Sequence, residues 1–304
     1  MEYFTPKGTD LKISRIAHGC MRIAGLPDNG LDSLIKTSLD CGINFFDHAD
    51  IYAGGACEEK FGNMLKREPS LRDKMTIQTK CGIVIGKGYD FRPEYLLNCV
   101  EGSLKRLGTE QIDVLLLHRP DALCEPEKVA EVFNKLYSSG KVRYFGVSNH
   151  NPYQTELLQK YCSQRLIFNQ LQFGPVHTPM IDSGIHVNMT DGASIMHDGM
   201  VLDYCRLNDI TIQPWSPFYA SDGEFIGNPK YGRLHEEIEK LCKKYGITDS
   251  AAVVAWILRH PAKMQPISGT TNARRIAEIA KAAEITLTHE EWYDIYRAAG
   301  NYIP

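Results

Sequence analysis

The sequence predicts an α/β protein folded as a (β/α)8 TIM barrel with parallel strands, and three observations lead there. Eight apolar, β-rich runs of strand length recur along the 304 residues. They are nearly continuous in apolarity rather than alternating, as expected of parallel strands covered by helices on one side and packed together on the other. Between them lie stretches whose apolar residues recur every three or four positions. A chain of this length has room for two average domains, but α/β barrels use it as one unit. With no linker, low-complexity tract or short repeat breaking the alternation, a single domain over residues 1–304 is expected.

The runs, in order, are RIAHG, INFFD (43–47), MTIQTK (75–80), IDVLLLH (112–118), YFGVS (144–148), LIFNQ (166–170), ITIQPW (210–215) and MQPIS (264–268). After the third, PEYLLNCVEGSLKRLG sets Leu96, Val100, Leu104 and Leu107 on one face, with Pro93 to start a helix and Gly108 to stop it. After the fourth, Val129, Val132, Phe133 and Leu136 form one stripe that Gly140 is placed to end. Two connections are long, 174–199 after the sixth run and 216–229 after the seventh. Both follow strand C-termini, so both belong on the rim where barrels carry their chemistry. GKGYDF at 86–91 has two glycines but no following Lys and Ser or Thr pair, and reads as a rim loop.

Composition narrows the partners. The formal charge is -3 from 34 basic and 37 acidic residues, without a basic block, so nothing points to nucleic acid or an anionic membrane and a small molecule is expected. Nine cysteines form no CxxC pair and, being odd in number, cannot all pair within the chain, which suits a reducing compartment. MEYFTPKGTD lacks the basic-then-apolar pattern of an export signal, and no apolar run nears the roughly 18 residues of a membrane span. A cytoplasmic protein is expected.

Chemistry-bearing side chains cluster at the run ends. Asp47 and Tyr52 stand five positions apart in FFDHADIY, Lys80 closes MTIQTK and His118 closes IDVLLLH. Taken singly, Asp47 reads as a turn or cap, Tyr52 as ordinary and His118 as a core histidine. Lysine at a strand end aimed into a barrel mouth is less ordinary. Together they can protonate a carbonyl oxygen: an ammonium near a phenol stabilises the phenolate and lowers its pKa from about 10. Asp47 would hold Lys80 charged in a desolvated pocket, and His118 would donate a hydrogen bond to the substrate oxygen or relay a proton.

The blocks FFDHADIY, IQTKCG, SLKRLGTEQIDVLLLHRPD, GKVRYFGVSNH, FNQLQF and PWSPF resemble those of the aldo-keto reductase superfamily over nearly the whole chain. The tail HEEWYDIYRAAGNYIP is similar to a bacterial oxidoreductase branch of it. The resemblance implies NADPH-dependent reduction of an aldehyde or ketone, with Tyr52 as general acid, His118 orienting the carbonyl, and Lys80 with Asp47 tuning the tyrosine. It implies that Ser148, Asn149 and Gln170 hold the nicotinamide carboxamide, that Trp215 stacks on the ring and that Ser216 approaches the pyrophosphate. Gly19 and Cys20 align with a segment near the cofactor ribose. Ser268, Gly269, Thr270 and Thr271 match the phosphate cradle, and Arg275 the basic grip on the 2′-phosphate. Asn272 stands where many members carry lysine, and Ile279 where many carry a polar adenine contact; Arg274 either compensates or is a solvated helix charge. Met21, Phe91, Trp215, Phe218 and Tyr219 are candidates for an apolar substrate wall.

Three rivals remain from the residues. A barrel aldolase would use Lys80 as a Schiff base, but a carboxylate partner keeps an amine protonated. A metal hydrolase lacks a His pair at HxH or HExxH spacing. A nicotinamide-binding regulatory subunit shares the HRPD block, and the absence of GxGxxG argues against a Rossmann domain without bearing on it.

Overall fold

The computed structural model describes residues 1–304, and each of the eight apolar runs forms a strand. The strands are β1 (Ala17–Gly19), β2 (Phe45–Asp47), β3 (Thr76–Cys81), β4 (Ile112–Leu117), β5 (Val142–Ser148), β6 (Leu166–Gln172), β7 (Thr211–Trp215) and β8 (Ile267–Ser268). They lie in one parallel sheet in which β1 to β7 pair in sequence order, and β8 returns to pair with β1 through Ala17–Ile267 and His18–Ser268. Just before β8, the Gln265 N–H donates to the Ile212 carbonyl of β7 at 3.0 Å, which draws the last gap of the barrel together.

Two hydrophobic clusters divide the burial. Inside the barrel, Phe45, Val114, Leu116, Ile167, Phe168 and Ile267 pack with Leu11 and Ile13. The last two belong to an N-terminal antiparallel hairpin, Tyr3–Phe4 with Ile13–Ser14, which plugs the end where the strands begin. Sequence pattern missed it because two-residue strands carry no readable period. The larger cluster lies between strands and helices. Asp113, buried inside β4, is held by Arg72 at 2.9 Å and Arg143 at 3.3 Å and accepts the Ile77 N–H, so its charge is paired.

The helices are α1 (Asp28–Asp40), α2 (Ala56–Arg67), α3 (Pro93–Leu107), α4 (Pro126–Ser138), α5 (Pro152–Tyr161), α6 (Pro179–Ile185), α7 (Val201–Leu207), α8 (Gly232–Tyr245), α9 (Asp249–Leu258), α10 (Ala273–Ala280) and α11 (His289–Ala298). α3 runs from Pro93 to a left-handed Gly108, as the sequence indicates. The alternation is richer than one helix per strand, since β6, β7 and β8 are each followed by two.

The long connections are not plain loops. Segment 174–199 contains α6 and a short 3-10 turn, Gly192–Ser194, and is tied to the C-terminal tail. Tyr296 Oη donates to Asp182 at 2.6 Å, Thr178 to Asn301 at 3.0 Å, and Asn301 Nδ2 to the Pro175 carbonyl at 2.9 Å. Segment 216–229 carries a small hairpin, Tyr219–Ala220 with Gly223–Glu224, anchored by the buried Phe225. A third small hairpin, Ile83–Val84 with Gly88–Tyr89, occupies the 86–91 region. No helix is long and apolar enough to cross a membrane.

α2 and α3 touch at Gly62, where a Cβ would stand 2.1 Å from the Arg106 carbonyl oxygen and 2.6 Å from the Leu107 carbonyl carbon. Backbone cannot yield there as a flexible side chain can. Gly62→Ala should therefore destabilise the fold by about 2 kcal/mol or more. Urea unfolding measures it, and an unchanged midpoint would contradict this helix contact.

Candidate active site

The C-terminal end of the barrel opens into a cavity of about 690 Å³. Four side chains singled out from the sequence meet at its floor. Lys80 is fully buried at the end of β3, and its Nζ donates to Asp47 Oδ2 at 2.8 Å, to the His48 carbonyl at 2.7 Å and to Tyr52 Oη at 2.9 Å. An ammonium has three protons, and all three are used. Because the phenol oxygen accepts from Lys80, its own proton is free to point into the cavity. Tyr52 is fixed there by the turn that follows it, in which Ala53, Gly54 and Gly55 all take left-handed backbone angles. Two consecutive glycines make that run accessible.

Burial works against charge on Lys80, but attraction to Asp47 and Tyr52 outweighs it and the pKa moves up. A lysine held this firmly protonated is a poor imine former. For Tyr52, burial pushes the phenol up, Lys80 pulls it down and Asp47 pushes it up again, with a net rise. The expected lowering by lysine is thus one contribution to a sum that desolvation dominates. His118 stands edge-on to Tyr52, ring centroids 6.1 Å apart. Burial, with the charges of Lys80 and Arg119, depresses its pKa to about 2, so its ring is neutral across the working range and can donate a hydrogen bond without carrying charge.

Beneath these groups lies a ladder of buried amides that sequence reading, apart from Gln170, passed over. Asp47 Oδ1 accepts from Gln78 at 2.7 Å and Gln170 at 3.0 Å. Gln78 and Gln170 both donate to Gln213, Gln213 to Gln265, and Gln265 to the Ser14 carbonyl. The signal was present in four of the apolar runs, MTIQTK, LIFNQ, ITIQPW and MQPIS, each of which carries one glutamine. Register makes them neighbours: Asp47 pairs across from Gln78, and Gln170 from Gln213.

The candidate cofactor residues divide into those on the cavity and those beside it. Gly19, Ser148, Asn149, Gln170, Trp215, Ser216 and Gly269 line it together with Asp47, Tyr52 and His118. Asn149, in a left-handed conformation, donates to Ser148 Oγ at 2.8 Å and accepts from the Trp215 indole at 3.1 Å, which fixes the ring's orientation. Cys20 is buried behind the wall, where its N–H donates to the Asp47 carbonyl. Of the apolar candidates, Met21, Trp215, Phe218 and Tyr219 reach the cavity; Phe91 is buried outside it, stacked on His150.

The phosphate-cradle segment fits a nicotinamide dinucleotide in part. Ser268 Oγ is buried without a partner beside Gly269, as a hydroxyl awaiting an acceptor would be. A Cβ on Gly19 would meet Ile267 at 2.9 Å and Gly269 at 3.4 Å, so the ends of β1 and β8 lie close enough to cradle a ligand against backbone. Arg22, which sequence reading did not select, lines the cavity and reaches over this spot, and it hydrogen-bonds Tyr219 Oη at 2.9 Å without a carboxylate partner. Thr270 accepts the Asn272 N–H, and Thr271 is exposed. Arg275 pairs with Glu224 at 3.0 Å and donates to Ser250 Oγ at 3.0 Å. Asn272 caps α10 by accepting the Arg275 N–H, Ile279 is buried in the core, and Arg274 pairs along the helix with Glu278.

Comparison with known proteins agrees with this architecture. The Aldo/keto reductase family model matches residues 15–299. The chain is 36% identical to the oxidoreductase YcsN of Bacillus subtilis, over 96% of each chain, and 34% identical to a 6-dehydroglucose reductase of Agrobacterium fabrum, over 95% of each. It is 33% identical to the oxidoreductase YdhF of Escherichia coli, over 98% of this chain and 96% of that one. In fold it resembles a thermostable aldo-keto reductase solved with the inhibitor epalrestat, with a TM-score of 0.77, 24% identity, and coverage of 98% of this chain and 100% of that one.

Buried histidines, most of them near the barrel interior and His260 at the end of α9, affect stability. Burial lowers His18 to about 4, His48 to about 3, His118 to about 2, His150 to about 4 and His260 to about 4. The unfolded chain takes up protons near pH 6.5 that these native rings refuse, so stability present at neutral pH is lost as the pH falls from about 6.5 toward 4. Asp50, raised to about 6 by burial, and His186, raised through Asp191, act in the opposite sense but are outnumbered. The free energy of unfolding should fall by about 1 kcal/mol or more per pH unit between pH 6.5 and 5, read as a falling denaturation midpoint. A midpoint that holds or rises on acidification would contradict neutral burial of these rings.

Proposed function

The chain belongs to the aldo/keto reductase family and is an NAD(P)H-dependent oxidoreductase, and from that premise we propose that it reduces an aldehyde or ketone to the alcohol with NADPH, Tyr52 serving as the acid. The observation that carries the reading is the Lys80 ammonium donating to Tyr52 Oη at 2.9 Å and to Asp47 at 2.8 Å. When bound, the nicotinamide supplies a hydride to the carbonyl carbon. The chain's own groups manage the oxygen. His118, neutral, donates to the carbonyl oxygen and fixes its direction; Tyr52 gives that oxygen its phenolic proton as negative charge develops. The phenolate left behind is stabilised by the Lys80 ammonium, which Asp47 and the amide ladder hold in place. Ser148, Asn149 and Gln170 offer hydroxyl and amide groups to a carboxamide, and Trp215 offers a flat face. Ser268, Gly269 and Arg22 are suited to phosphate oxygens.

Turnover depends on the phenol more than cofactor binding does. Tyr52→Phe keeps the ring and removes the acid, and should lower kcat by about 100-fold or more while nicotinamide binding changes little. Stopped-flow turnover with a reactive aromatic aldehyde measures the first and fluorescence titration the second. Retained activity would refute the assignment.

Preference for NADPH is proposed to rest on Arg275, which must exchange Glu224 for the 2′-phosphate. Arg275→Met should weaken NADPH by about tenfold and leave NADH nearly untouched, and Glu224→Gln should tighten NADPH. Tighter binding of NADH than NADPH by the unaltered protein would overturn this role.

A further inference from the structure

Two arginines reach the catalytic cavity, and they sit in different surroundings. Arg22 lies beside Gly269, at the phosphate-cradle end. Arg119 immediately follows His118 at the end of β4 and lines the cavity beside Tyr52 and His118. It also lines a second cavity, of about 470 Å³, on the far side of Asn149 and Trp215. Its guanidinium carbon stands 5.7 Å from the Trp215 ring centroid. The cation is thus held over an aromatic ring, a contact that restrains its position.

What Arg119 lacks is a partner. The side chain is half-buried, yet it forms no ion pair and no hydrogen bond within the protein. A guanidinium carries five N–H donors, and on Arg119 the protein claims none of them, so the fork is open to an acceptor that enters the cavity. The nearby carboxylates do not serve it. Asp47, in the first cavity, is committed to Lys80, and the second cavity has Asp198 as its one acidic residue, among the polar side chains of Asn151, Gln154, Gln172 and His177. The junction of the two cavities therefore presents an uncompensated positive charge with a flat donor fork, adjacent to the site proposed for the carbonyl oxygen.

We propose that Arg119 is a specificity-determining residue that binds an oxyanion on the substrate, so that this protein prefers carbonyl compounds carrying a carboxylate or a similar anionic group over neutral ones. The inference rests on the reductase reading. The carbonyl oxygen lies at Tyr52 and His118, and the far end of the substrate reaches the Arg119 fork, where the Trp215 face covers one side. The same contact completes the donors of a cation that the protein leaves open.

The test uses 4-carboxybenzaldehyde and its methyl ester, which differ in charge but share the reacting aldehyde, with the unaltered protein, Arg119→Gln and Arg119→Lys. The unaltered protein should favour the acid over the ester by about tenfold or more in kcat/KM, mainly through KM. Arg119→Gln should bring the ratio near one, and Arg119→Lys should keep part of the preference, since lysine retains charge but not the fork. The ester is the internal reference, so a general loss of activity leaves the ratio unmoved and counts against the proposal, as does equal use of acid and ester by the unaltered protein. Binding of 4-(hydroxymethyl)benzoate, followed by quenching of tryptophan fluorescence with and without NADP+, requires no turnover. It should weaken about tenfold in Arg119→Gln. If neither aldehyde is reduced, the reductase reading fails, while this titration still decides the role of Arg119; binding indifferent to the substitution overturns it.

Discussion

One buried ammonium organises the open end of this barrel. Lys80 has no exposed surface, and a cation so placed persists only if its protons are taken up and its charge is met. Asp47, the His48 carbonyl and Tyr52 Oη meet both demands at 2.7 to 2.9 Å. Asp47 is in turn held by Gln78 and Gln170, which are tied to Gln213 and Gln265 across the barrel. A network of buried, mutually bonded groups resists distortion, and this one locates a phenol whose proton is left for whatever enters from above.

The same constraint separates the two roles of charge at the mouth. His118 is kept neutral by burial and by the cations around it, so it can direct an oxygen without competing for the proton. Tyr52 is not made acidic by Lys80 alone, because desolvation costs the phenolate more than the ammonium returns. In the proposed reaction the lysine stabilises the phenolate as it forms, and the resting phenol stays protonated. That arrangement suits a group whose task is to give up a proton late.

Around this centre the rim segments differ in how firmly they are fixed. Segment 174–199 is bound to the C-terminal tail by several hydrogen bonds. The hairpin of 216–229 instead meets its neighbours through side-chain contacts, Tyr219 with Arg22 and Glu224 with Arg275. Asn272, which stands where many members of the family carry lysine, serves the backbone of α10 as its cap. The residue type at that position is thus explained by helix geometry, independent of any ligand.

Much of this was legible along the chain. Eight apolar runs, the proline and glycine that bound α3, and the spacing of Asp47, Tyr52, Lys80 and His118 are local patterns, and local patterns survive in sequence because neighbours in the chain are neighbours in a strand or helix. The N-terminal hairpin, with strands of two residues, was too short to leave a period. Residues 15 and 16 and 264 to 266 belonged to runs that the barrel shortens to β1 and β8. What the tertiary structure alone decided was pairing: that Gln78, Gln213 and Gln265 join one ladder, that Arg275 is claimed by Glu224, that Phe91 faces His150 instead of the cavity, and that Arg119 is left with no carboxylate. Each depends on which side chains closure of the barrel brings within hydrogen-bonding reach, and distance in space between residues far apart in the chain is not written in composition or periodicity.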